Sequence, residues 1–96
     1  MSAPQLETIR VQHQPSPEHL RQLGVSDWPI WTKGVSEFPW TYDEAETCYL
    51  LAGEVTVTPD GGRPVELKPG DLVTFSRGLS CTWTIRAPVK KHYQFS

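Results

Sequence analysis

Long apolar runs are missing from this sequence: no more than five consecutive residues are apolar, against the roughly 20 that a membrane-spanning helix needs. The opening Met1-Ser2-Ala3-Pro4-Gln5-Leu6-Glu7 has neither a basic region nor an apolar one, so no leader is expected. Cysteine is scarce as well. Cys48 and Cys81 are too few for a disulfide scaffold and lack metal-ligand spacing, so both are expected as free thiols. Their presence suits a reducing compartment, and a cytoplasmic location is expected. An excess of positive charge is also absent. Nine Lys plus Arg stand against eleven Asp plus Glu, a formal charge of −2, which gives no electrostatic reason to bind nucleic acid or an anionic membrane surface. Lys90-Lys91 is the one adjacent basic pair, and it is expected to be solvated. Finally, nine prolines and seven glycines among 96 residues leave no room for long helices.

What is present is aromatic: four Trp, three Tyr and three Phe. A chain this short buries only about 60 to 65% of its unfolded surface, so these rings are a large share of what can fill its core. One domain is expected over residues 1–96.

Thr8-Ile9-Arg10-Val11 alternates weakly and reads as an edge strand. Pro15 to Gly24 predicts one short helix, with Ser16 as its cap, Pro17 at its first position and Gly24 as its stop. His19 is expected on the solvated side. From Val25 onward only strands and turns are predicted. Trp28-Pro29-Ile30-Trp31 reads as an edge strand because proline cannot donate to a ladder. Cys48 to Ala52 is apolar without alternation, which predicts cover on both faces. Val55 and Val57 lead through Pro59-Asp60-Gly61-Gly62 into Val65 and Leu67 as a hairpin. Turns follow at Lys68-Pro69-Gly70-Asp71 and Ser76-Arg77-Gly78. Cys81, Trp83 and Ile85 alternate with polar residues and should face inward; Val89, Tyr93 and Phe95 make a last strand, with His92 on its other side. Short strands with turns about every 8 to 12 residues predict an antiparallel sandwich or barrel, and exclude a Rossmann fold or helical bundle.

Glu46-Thr47-Cys48-Tyr49-Leu50-Leu51-Ala52-Gly53, followed by Gly70-Asp71 through Gly78, resembles the paired motifs of the cupins. The style is most similar to the short cupins grouped with ureidoglycine aminohydrolase. The resemblance implies an all-β, double-sheet jelly-roll barrel over about residues 30–95, preceded by the strand and short helix within 8–24. It also implies a metal held by three histidines and a glutamate. The histidine positions fall here on Trp40, Tyr42 and Cys81, and the proline and asparagine of the second motif fall on Ser76 and Ile85. Only Glu46 remains of the ligand set.

No cofactor is therefore expected. Glu46 and Cys81 are the metal-ligand candidates, with Cys48, Tyr42 and His92 as poorer ones; a transition metal needs about three or four converging donors. The preferred reading keeps the pocket and drops the metal: Trp40, Tyr42, Cys48, Cys81 and Trp83 line a largely apolar cavity around Glu46, which binds an unidentified small molecule. Burial without a hydrogen-bond partner would raise the Glu46 pKa and suit it to general acid or base work. Cys81 as a nucleophile is a further candidate, although no histidine is placed beside it and Glu46 nearby would raise its pKa. Two other readings stand beside these. One is a metal-dependent hydrolase resembling ureidoglycine aminohydrolase with an altered ligand set. The other is a structural barrel that forms a homodimer through Cys48 to Ala52, Trp28 and Trp31.

Overall fold

The computed structural model describes residues 8–96; the reading of Met1 to Glu7 as lacking a leader lies outside them. The elements run β1 (Ile9–His13), α1 (Pro17–Leu23), a 3-10 turn (Val25–Asp27), β2 (Ile30–Lys33), β3 (Ser36–Thr41), β4 (Glu46–Pro59), β5 (Val65–Leu67), β6 (Asp71–Phe75) and β7 (Ser80–Phe95). All strand pairings are antiparallel. The ladder follows the order β1-β6-β4-β7-β2, with β3 also on β7 and β5 also on β4. No helix among the described residues is long and apolar enough to cross a membrane.

The predicted helix forms with the predicted punctuation. Ser16 stays extended and its hydroxyl accepts from the His19 N–H, Pro17 opens the first turn, and Gly24 closes the last at φ 74°. The three-residue 3-10 turn at Val25 is a small departure from the strands-only expectation. β1 and β2 lie at the two ends of the ladder, the edge positions that their sequences suggest.

The two longest strands differ more from expectation. The segments before and after Gly53 are one strand of 14 residues, and Cys81–Arg86 joins Val89–Phe95 in one strand of 16. β4 absorbs the mismatch through register shifts between Leu50 and Val55, bulges that let one strand turn the corner of a barrel. Gly53 sits there at φ 118°, where a Cβ would come within 2.9 Å of the Pro88 carbonyl oxygen and the Val89 Cα, so only glycine fits. β4 and β7 thus link what would be two sheets into one continuous ladder.

Alternation along both strands builds the core. Cys48, Leu50, Val55 and Val57 face in from β4, and Cys81, Trp83, Ile85 and Val89 from β7. Cys48 to Ala52 alternates after all: Leu51 and Ala52 are exposed, so this run is covered on one face only. The turn before β6 is held by Asp71, itself buried, whose Oδ2 accepts from the Lys68 N–H at 3.0 Å and whose Oδ1 accepts from His13 Nδ1 at 2.8 Å. The Asp of the second motif is therefore a turn brace.

Candidate functional site

The inward phase of β7 continues past Val89 to Lys91, which is buried rather than solvated as expected. Its strand neighbours are Leu50 of β4 and Trp31 of β2. The stem lies in the barrel, and Nζ donates to Glu46 Oε2 at 2.6 Å; each of these side chains is 6% exposed. Glu46 opens β4, opposite Phe75 and Phe95. The two charges meet inside an aromatic frame. Lys91 Nζ lies 4.9 Å from the Trp31 ring centroid and 4.8 Å from that of Trp83, within cation–π range. Glu46 is thus no isolated buried acid: the compensating partner is an ammonium, not a Tyr, Trp or Thr donor.

The frame is fixed from behind. Trp83 Nε1 donates to the Tyr42 hydroxyl at 3.1 Å, Phe38 stacks on Trp83 at 6.3 Å and Phe75 on Tyr42 at 4.7 Å between centroids. Main-chain bonds from Tyr42 to Leu79 and from Gly78 to Tyr42 anchor the loop that carries the phenol. Burial, then the Glu46 carboxylate, hold the Tyr42 hydroxyl well above its ordinary pKa. At neutral pH it is a neutral donor.

Above the charge pair the barrel is open. A cleft of about 530 Å3 is lined by Glu46 and Lys91, by Trp31, Phe38, Trp40, Tyr42 and Trp83, and toward its mouth by Lys33, Pro39, Tyr93 and Phe95. Trp40 is 49% exposed, so it forms a lip and does not plug the interior. Of the six residues assigned to a pocket from sequence, Trp40, Tyr42, Glu46 and Trp83 are brought together.

Cys48 and Cys81 are not, and their assignment to the wall is corrected. Cys48 is fully buried behind the charge pair, and burial pushes its thiol up to about 12. The Cys81 Sγ–H points at the Trp40 carbonyl at 3.6 Å. Burial pushes that thiol up to about 11, with the nearby charge of Asp60, not of Glu46, adding to it. Cys81, desolvated and without a cationic neighbour, is a poor nucleophile.

Nor do these residues fit the metal centre of the resemblance. Indole, phenol and thiol stand at the three histidine positions, and the one carboxylate left is bonded to an ammonium. Among the described residues no three His, Cys, Asp or Glu side chains gather where one ion could bind them. His92 Nδ1 donates instead to the Trp28 carbonyl at 2.9 Å, on the other side of β7.

Lys91, Trp31, Phe38 and Lys33 were missed in the sequence. For Lys91 a signal existed, since counting in twos from Cys81 through Ile85 and Val89 lands on it. Trp31, Phe38 and Lys33 come from two strands that reach the cleft only by pairing with β7, which no local pattern announces.

An antiparallel barrel carrying the Glu46–Gly53 and Gly70–Gly78 motifs in register is a cupin. More narrowly, the chain belongs to the EutQ-like cupin domain family, whose model matches residues 20–93. A DUF861 family protein from Thermotoga maritima, known from its crystal structure, is 48% identical, with a TM-score of 0.90 over 93% of this chain and 100% of its own. A Salmonella typhimurium LT2 structure assigned as ethanolamine utilization protein Q is 26% identical, with a TM-score of 0.62 over 69% of this chain and 53% of its own. A Streptococcus pneumoniae protein named as a transketolase is 35% identical over 63 residues. That match takes in 66% of this chain but only 9% of the longer protein.

Proposed function

We infer that the protein is a small-molecule-binding cupin that works without the three-histidine metal centre. The observation that carries this is the Lys91–Glu46 pair, desolvated at 2.6 Å on the floor of an open cleft. A buried ion pair is weak evidence of stabilisation, because desolving two charges offsets much of their attraction. Its place beside an open aromatic cleft fits a role in binding, where a few placed polar groups among apolar walls orient a ligand. In a thermal-shift screen of ureides, organic acids and sugars, at least one compound should stabilise the wild type and lose most of that effect with Glu46→Gln. A wild type that no compound stabilises, or a mutant that responds identically, sinks the reading.

The metal-dependent hydrolase reading, after ureidoglycine aminohydrolase, is the weaker one on the chemistry of its donors. Elemental analysis of chelator-free protein should give well under one equivalent of Zn, Fe, Mn, Ni and Cu, and a stoichiometric metal would reverse the order of the two readings. A homodimer keeps support from Ile30 and Leu51, exposed apolar residues on β2 and β4. Trp31 offers it nothing, since its ring lines the cleft. Light scattering behind size exclusion reads the assembly directly.

A further inference from the structure

Building on the reading of the cleft as a binding site, we propose that its ligand is uncharged where it meets the floor and presents a hydrogen-bond donor beside an acceptor, as the hydroxyls of a sugar ring or a cyclic amide do. The two floor charges neutralise each other. A carboxylate or ammonium pushed against them would be a third charge in a desolvated space, or would strand one partner by capturing the other. Charges at the rim do not reverse this. Lys33 lies at the mouth with Nζ 5.2 Å over the Phe38 ring, and Asp43 and Glu44 line a smaller recess beside Trp40 and Phe95. All three are exposed, so solvent screens them, and Lys33 is opposite in sign to the two acids.

Apart from the remaining Lys91 N–H groups, whose ammonium lies over the Trp31 and Trp83 rings, the floor leaves one acceptor and one donor uncommitted. Among the described residues Glu46 Oε1 has no hydrogen-bond partner, whereas Oε2 is taken by Lys91. Among the described residues no buried side-chain nitrogen or oxygen goes unpartnered, so Oε1 keeps open surface, and Glu46 lines the cleft. The Tyr42 oxygen already accepts from Trp83, which leaves its own proton for an acceptor. An ionised carboxylate only accepts, and the phenol used in this way only donates. A single ligand hydroxyl, or the adjacent N–H and C=O of a cyclic amide, answers both. The aromatic lining of the cleft, with Trp40 exposed at its lip, suits the apolar side of either ring.

Tryptophan fluorescence titrations at neutral pH with matched compounds test this, because three of the four Trp residues line the cleft. One set is a methyl pyranoside with its uronate and amino-sugar counterparts; the other is 2-piperidone with its carboxylated and aminated counterparts. The neutral member of at least one set should bind at least about tenfold tighter than its charged relatives, and the responding set identifies the source. Tyr42→Phe should weaken that binding by about tenfold, the loss of one hydrogen bond, whereas Arg86→Ala, outside the cleft and paired with Glu66, should change it less than about twofold. If Tyr42→Phe fails to fold for want of the Trp83 acceptor, the wild-type comparison still decides. Charged relatives that bind as tightly as neutral ones overturn this proposal and leave the binding-site reading standing. No binding by any compound of either kind removes both.

Discussion

Two ion pairs of similar length occupy opposite faces of the barrel wall, and β7 contributes the cation to each. Inside, Lys91 Nζ meets Glu46 Oε2 at 2.6 Å with both side chains 6% exposed. Outside, Arg86 Nη2 meets Glu66 Oε1 at 2.8 Å with side chains 45% and 63% exposed. Thr56 joins the outer cluster by donating to Glu66 Oε2 at 2.8 Å and accepting from Arg86. Distance alone would rank the pairs nearly equal. Solvation separates them, since the inner charges have exchanged water for each other and for two indole faces, while the outer ones keep both. The inner pair is thus fragile to the loss of one member, and the outer pair is close to dispensable.

The largest expected effect follows from breaking the inner pair on one side. Lys91→Met keeps the apolar stem but leaves the Glu46 carboxylate buried without its counter-charge, which should lower stability by about 3–5 kcal/mol. That is a large part of the roughly 5–15 kcal/mol that a domain has. Glu46→Gln combined with Lys91→Met removes both charges and should recover most of the loss. Urea denaturation of the single and double variants gives the coupling directly. A Lys91→Met loss below about 1 kcal/mol would mean that the inner pair behaves as an outer one, and the contrast drawn above would fail.

That contrast also marks what the sequence could show. Turns, caps and strand phase are local chemistry, so Ser16, Pro17, Gly24 and the Gly70-Asp71 turn are readable, as is the inward facing of Cys81, Trp83 and Ile85. Lys91 broke a prior instead of a pattern. A lysine is expected outside, and being next to Lys90 made a solvated pair the natural reading, although its phase on the strand was inward. Cys48 and Cys81 show the converse: their strand phase points inward, but inward covers both the packed core and the open cleft. Which of these a residue meets depends on how β2 and β3 close over β7, and that is tertiary information.

The two faces also titrate in opposite directions, and the interior carries the larger effect. Burial pushes Cys48 up to about 12 and Cys81 up to about 11 from an ordinary value of 9.0, and the Tyr42 hydroxyl is raised as well. Unfolding lets these groups ionise at their ordinary values, so above pH 9 the folded chain holds more protons than the unfolded one. Stability should therefore be fully present below pH 9 and fall as pH rises toward 12. Urea midpoints from pH 8 upward test the sign, and Cys48→Ala should flatten the fall. An unchanged slope in that variant would show that its thiol is not desolvated.

On the outer face the sign reverses and the size shrinks. The Thr56 hydroxyl first, and then Arg86, hold the Glu66 carboxyl below its ordinary value of 4.5. A depressed carboxyl contributes stability above pH 4.5 that is lost as pH falls through its folded value. Arg86→Ala should remove part of that acid-side dependence while lowering stability at neutral pH by about a fifth or less of the Lys91→Met loss. Half-molar salt should erase most of what remains, because screening reaches exposed charges and not buried ones. The same salt should leave the Lys91→Met loss almost unchanged, so denaturing both variants at low and high salt separates the two faces in a single experiment. Equal salt sensitivity in both would mean that water reaches Lys91 and Glu46 as freely as it reaches Arg86.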